Sequence, residues 1–238
     1  MKHIKKQPEP QSLTAKRNTE GSIYDGPQKD WQEALLEEQG YICAYCMRRI
    51  KLKRENGKPL IQIEHYRSRE KHPELGLWWA NMLGVCNGNY GMQPHLYHCD
   101  KSKGKENEQG IFVKGKVIGE VELNVLDPLD IKKSENIVTY SSSGKILPNT
   151  QNENLQQSII EDLDCILNLN DEKLRMQRKQ AMDIAKESLE KKYPNPTLLE
   201  IEREIEVWKT KKDGKYQPFC QAAIWFLEYL KSKPIHKS

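Results

Sequence analysis

Apolar positions are sparse along the chain, and their rhythm changes near residue 28 and again near residue 150. Residues 1–27 are polar and punctuated by Pro8, Pro10, Gly21, Gly26 and Pro27, which predicts an extended arm with one short helix near Ser12–Arg17. From Gln28 to Gln39, Trp31, Ala34, Leu35 and Glu38 share one helical face, and Gly40 ends the run. Tyr41–Arg49 reads as a tight turn, and Asn56-Gly57 as another. Leu60–His65 alternates weakly and predicts a short strand ending on His65. Leu75–Leu83 reads as a short helix and Asn87–Gln93 as a Gly/Asn-rich loop. The polar stretch 104–110 reads as a loop, and Val121–Leu129 as a strand closed by a turn at Asp127-Pro128. Asn136–Tyr140 and Lys145–Leu147 flank Ser141–Gly144 and predict a β-hairpin.

From about Gln151 the period becomes helical. Leu155, Ile159, Leu163, Ile166 and Leu167 form one apolar face. Asp171–Lys192 is a charged helix with a narrow face of Leu174, Ala181, Ile184 and Ala185, broken by Pro194 and Pro196. Leu198, Ile201, Ile205 and Trp208 define a third helix. Phe219, Ala222, Ala223, Phe226, Leu227 and Leu230 line a fourth. The expected fold is α+β and predominantly helical, divided into an arm (1–27), a unit carrying the chemistry and the hairpin (28–150), and a C-terminal helical region (151–238). Trp225, Trp78-Trp79 and the arm are candidate partner contacts; the helical faces themselves are expected to complete the core.

Net charge changes this picture little, but its distribution does. The formal charge of the 238 residues is only +4, yet Arg48–Lys71 holds nine Lys or Arg against three Glu. That excess lies beside the cysteine- and histidine-bearing stretch, where a polyanion-binding site needs it. No run is long and apolar enough to cross a bilayer, and no apolar segment follows the basic start Met1–Lys6, so neither a span nor a signal peptide is expected. The expected compartment is the cytoplasm, where six cysteines are better read as ligands and buried thiols than as disulfides.

Cys43-Ala-Tyr-Cys46 lets two thiolates reach one ion from a single turn. A tetrahedral zinc needs two more ligands, and Cys86 and Cys99 are the expected pair, with His95 or His98 able to replace one of them. Cys165 and Cys220 fall on helical faces and read as core residues. Between and after these cysteines stand Glu64-His65, Asn81, and Asp100 with Lys103. Phosphodiester hydrolysis needs a base for water, a cation for the developing charge, and groups that hold the backbone. His65 is the candidate base. Glu64 and Asp100 offer hard oxygens suited to Mg²⁺ or Mn²⁺. Arg67, Arg69 and Lys103 are candidate phosphate contacts.

In this order the residues resemble the zinc-bound HNH, or ββα-metal, endonucleases. The resemblance implies a ββα core, with His65 at the general-base position and Glu64 at the adjoining metal-ligand position. It places Asn81 where an asparagine steadies the loop and Asp100 at a second metal-ligand position. The chain departs from the pattern twice: Glu64 stands where Asp is common, and a twelve-residue insert separates Cys86 from Cys99. Met1–Pro10, Gln39–Arg49, Ile63–His65, Asn81–Cys86, His98–Gly104 and Leu167–Asn170 also look like the PtuB-like nucleases of Septu and retron-linked anti-phage systems. That similarity implies a bacterial defence nuclease controlled by a PtuA-like ATPase. The chain has no Gly-x4-Gly-Lys-Ser/Thr segment, so the ATPase would be another protein. DNA is the expected substrate, RNA such as tRNA is an alternative, and a non-catalytic zinc module that binds nucleic acid or a partner is the third reading.

Overall fold

A computed structural model of the chain describes residues 1–52, 60–103, 112–113, 116–117 and 122–233. The expected turn at Asn56-Gly57 and the polar stretch 104–110 lie outside the described residues. The fold is α+β and mostly helical. Among the described residues the strands pair only as two-stranded antiparallel ribbons.

Three expected elements carry the site. Helix α2 (Lys29–Glu38) follows the short helix α1 (Gln11–Arg17) and buries Trp31, Leu35 and Leu36. Strand β1 (Gln62–His65) pairs with β2 (Met82–Val85), with Glu64 opposite Leu83 and His65 opposite Met82. Helix α3 (Asp100–Lys103) is one turn long and begins directly after Cys99. The helix expected over Leu75–Leu83 does not form. Two 3₁₀ turns, Pro73–Leu75 and Trp79–Asn81, lead into β2, because Met82 and Leu83 are buried by pairing with β1. β3 (Phe112–Val113) pairs with β4 (Lys116–Val117) as a minimal ribbon.

The first residues pack against the body of the fold instead of standing away from it as a separate arm. Met1, Ile4 and Leu13 are buried, and the Ile4 amide donates to Pro128 O at 2.8 Å. Lys6 Nζ reaches both Glu38 Oε1 (2.8 Å) and Met82 O (2.9 Å), and the Trp79 indole donates to Gln7 O at 2.9 Å. Few apolar residues suffice here because polar side chains tie down the backbone that the sequence leaves irregular.

Residues 122–129 do not form the expected strand. The amides of Asn124, Val125 and Leu126 each donate to the Asp162 carboxylate at 2.8 Å, so one side chain replaces a strand partner. The expected hairpin is present as β5 (Val138–Tyr140) and β6 (Ile146–Pro148). Helix α4 (Glu153–Ile160) continues as a π-helical turn, Glu161–Ile166, and α5 (Glu172–Lys192), α6 (Leu198–Lys209) and α7 (Cys220–Lys231) follow. A Thr197/Glu200 capping box starts α6, as its Thr-x-x-Glu sequence requires. Ile184 and Leu198 are exposed and leave the expected faces, whereas Met182, Leu189 and Arg178 are buried. Arg178 donates in the core to Gly144 O (2.6 Å) and Leu169 O (2.7 Å). Buried residues from Met1 to Leu227 form a single cluster, so the three sequence regions share one core. Among the described residues no helix is long and apolar enough to cross a membrane.

Candidate functional site

Four thiols converge at the centre. Cys43, Cys46, Cys86 and Cys99 are all buried, and their sulfur atoms lie within 4.8 Å of one another. Cys43 Sγ is 3.9 Å from Cys99 Sγ, and Cys46 Sγ is 3.8 Å from Cys86 Sγ. A zinc tetrahedron with Zn–S bonds near ~2.3 Å has S···S edges of about 3.8 Å, so the spacing of the cluster suits a zinc ion. The charges point the same way. Against the upward push of burial, hydrogen bonds from Cys46, Cys86 and Cys99 hold the Cys43 thiol well below its usual range. The Cys86 and Cys99 thiols are pushed well above theirs, Cys86 first by its hydrogen bonds with Cys43 and Cys46 and Cys99 first by burial. Crowded thiols resist ionising together unless a cation joins them.

Local structure explains how distant cysteines meet. The Gln39 side chain donates to Ile42 O (3.0 Å) and Gly84 O (2.7 Å) and accepts from the Gly84 amide (2.7 Å), tying the cysteine turn to β2. The Cys86 amide donates to Cys43 Sγ at 3.4 Å. The twelve-residue insert is pinched at its base, where the His98 amide donates to Gly88 O at 3.2 Å. Gly88 has φ +55°, and a Cβ there would collide with His98 O and with Lys101, so this close approach requires glycine. From the other side, the Cys99 amide donates to Leu167 O at 2.8 Å, and Asn168 Nδ2 donates to Tyr97 O at 2.8 Å. The helical region thereby clamps the insert. His98 stands against the cluster, with Nδ1 3.1 Å from Cys99 Sγ, while His95 is exposed on the insert; four sulfurs form the group without either.

Beside the thiols lies a carboxylate pair. Glu64, at the end of β1, lies close enough to Asp100, at the start of α3, for the two carboxyls to shift each other's ionisation. Tyr45 Oη donates to Glu64 Oε1 at 3.0 Å, and Lys103 Nζ donates to the same oxygen at 2.6 Å. Burial and the neighbouring Glu64 charge push Asp100 well above the carboxylate range. Glu64 stays below it despite burial, held by its bonds to Asp100, Lys103 and Tyr45. Each acid thus opposes the ionisation of the other, as close carboxylates do.

His65 is buried at the strand end, with Nε2 2.9 Å from Gly76 O. When that nitrogen carries the proton, Nδ1 is left as an acceptor. Burial pulls the ring down to about 4, so it is neutral at neutral pH. Asn81 holds the connecting loop: Oδ1 accepts from the Arg67 amide (2.7 Å), and Nδ2 donates to Arg67 O (3.0 Å) and Leu75 O (3.2 Å). Tyr24 meets the His65 ring edge-on at 4.6 Å.

The basic run divides. Arg67 and Arg69 are exposed, Arg67 pairing with Glu122 at 2.8 Å. Arg48 and Arg49 turn inward, to Asn89 and Gln177 and to the carbonyls of Gly40, Tyr41 and Tyr216. Lys103 is not placed for phosphate. It is buried and donates to His65 O (3.3 Å) and Tyr66 O (2.9 Å) as well as to Glu64, so it fixes the end of β1. Tyr45, Gly76, Tyr24 and Gln39 are the site residues that motif spacing missed; only Tyr45, lying between two ligands, had a sequence signal. No protein-family model matches the chain, and no curated protein matches it significantly.

Proposed function

We propose that the chain is a metal-dependent HNH-type endonuclease that hydrolyses phosphodiester bonds, with DNA as the first substrate and RNA as the alternative at the same site. The observation that carries this reading is the four-thiol cluster with the buried Glu64 close to Asp100 beside it, Asp100 directly following Cys99 and His65 following Glu64 at the end of β1. β1 and α3 supply His65, Glu64 and Asp100, and Asn81 fixes the loop between β1 and β2. In this reading zinc at Cys43, Cys46, Cys86 and Cys99 is structural, and Mg²⁺ or Mn²⁺ belongs to Glu64 and Asp100. The thiols suit a soft ion and the carboxylates a hard one, so the two sites need not compete. When bound, the hard ion supplies charge stabilisation for the phosphorane and the leaving oxygen.

The chain's own groups account for the rest. His65 Nδ1 takes a proton from water as the water oxygen bonds to phosphorus, and the ester oxygen leaves with the bond electrons. The Gly76 carbonyl orients the ring and stabilises the imidazolium that forms. Arg67 and Arg69 hold flanking phosphates. A role in anti-phage defence and control by a PtuA-like ATPase are drawn from the sequence resemblance, and the missing phosphate-binding loop is consistent with such a partner.

Cleavage of labelled DNA and RNA by zinc-loaded protein tests this proposal. Hydrolysis is expected only when Mg²⁺ or Mn²⁺ is added, with bound zinc unchanged throughout. Cutting that ignores the added ion overturns the two-metal division, and no cutting of either polymer, with or without an ATPase partner, favours a binding module.

A further inference from the structure

Three cation–ring pairs lie on or beside the segments that carry the candidate site. The Arg69 guanidinium lies 4.7 Å from the centre of the Tyr24 ring, and that ring touches His65. Arg17 lies 5.3 Å from the Trp78 ring, donates to Leu77 O at 3.2 Å and is held there by both oxygens of Glu9, so it offers the rim its planar surface more than free charge. Trp78 is only two residues from Gly76, whose carbonyl meets His65, so the indole lies on the loop that holds the imidazole at the end of β1. On the side of Asp100, Lys101 lies 4.6 Å from the Tyr90 ring. Trp78 is 50% exposed and Tyr90 is 52% exposed.

A site that reads only the outside of a duplex needs cations for phosphates and gains little from exposed rings, because paired bases are already stacked on one another. Unpaired bases have free faces, and aromatic rings take them in a sequence-tolerant way. Arginines beside those rings add charge for the phosphates and planar surface for the bases. We propose that the rim formed by Trp78, Tyr24 and Tyr90, with Arg17, Arg69 and Lys101, receives unpaired nucleotides. The substrate class of the site is therefore single-stranded or looped nucleic acid. This inference rests on the nuclease reading of His65 and the carboxylate pair.

Binding separates the two ideas. Fluorescence anisotropy would follow His65→Ala protein with a short single-stranded DNA, the same sequence as RNA, and the same sequence as a perfect duplex. Both single strands are expected to bind at least about tenfold more tightly than the duplex. Trp78→Ala should weaken single-strand binding by about 5- to 100-fold, the range for one lost stacked base. It should leave duplex binding nearly unchanged, and Trp78→Phe should restore most of the loss. Because Trp78 is half exposed, zinc content and melting should not move. Equal or tighter duplex binding, or equal weakening of duplex and single strand by Trp78→Ala, overturns the rim. Selective single-strand binding without metal-dependent cleavage of any polymer would instead sink the nuclease reading and leave the rim standing. Preference for RNA over DNA single strands would identify which polymer supplies the unpaired bases.

Discussion

Replacing Cys99 with serine is expected to remove bound zinc and to lower the melting temperature by about 10–20 °C. Zinc contributes folding free energy where thiolates converge without it only against their mutual repulsion. A loss of about 5 kcal/mol moves the midpoint of a domain of this size by that amount. The four sulfurs link three distant segments of one continuous core, so the effect should not stay local. It should also reach the carboxylates, because Asp100 directly follows Cys99 and Tyr45 lies between Cys43 and Cys46 while bonding Glu64. Cys165, half-buried and outside the cluster, is the control: Cys165→Ser should keep the zinc and the melting temperature. Elemental analysis with calorimetry checks both, and a Cys99→Ser protein with full zinc and wild-type melting would refute the staple.

The second large effect concerns Glu64 and its lysine. Lys103 Nζ and Glu64 Oε1 are 2.6 Å apart, and both side chains are 7% exposed. Removing one partner of such a buried pair costs about 3–5 kcal/mol, because the other charge is left uncompensated. Asp100 changes the sum. Burial and the Glu64 charge push its carboxyl toward the protonated form, and neutralising Glu64 removes that opposition and leaves Asp100 to balance the lysine. Asp100→Asn alone should therefore alter stability by less than about 1 kcal/mol, Glu64→Gln should show an intermediate loss, and the double substitution should approach the full penalty. Urea unfolding in the absence of Mg²⁺ and Mn²⁺, with zinc retained, measures all three. Additive single losses would show that the two acids do not oppose each other's ionisation.

Much of this arrangement was legible in the order of residues, and the reasons differ by residue. The cysteine pair at Cys43 and Cys46 was plain because a two-residue spacing has few other uses. Cys86 and Cys99 were assigned by elimination; what joins them, a glycine pinch at Gly88 and a clamp from Leu167 and Asn168, depends on contacts that no local pattern encodes. β1, α2 and the hairpin β5–β6 followed their periodicity. The segment before Asp127 did not, because a single buried carboxylate, Asp162, satisfied its amides in place of a strand. The polar N-terminal stretch looked free since its anchoring is done by backbone and charged groups, not by an apolar stripe. Lys103 stood where a phosphate contact was expected, yet its direction depends on how the turn of α3 meets β1. The carbonyl of Gly76 has no sequence signature at all.

The most direct test of the account is the rate of phosphodiester cleavage by wild-type and His65→Ala proteins matched in zinc content, with Mg²⁺ or Mn²⁺, on single-stranded DNA and RNA. Removing a positioned general base lowers such rates by about 10²–10⁴-fold. The account predicts a loss of that size in His65→Ala at a temperature where both proteins are folded, with zinc content unchanged. Cleavage by His65→Ala at the wild-type rate would contradict it.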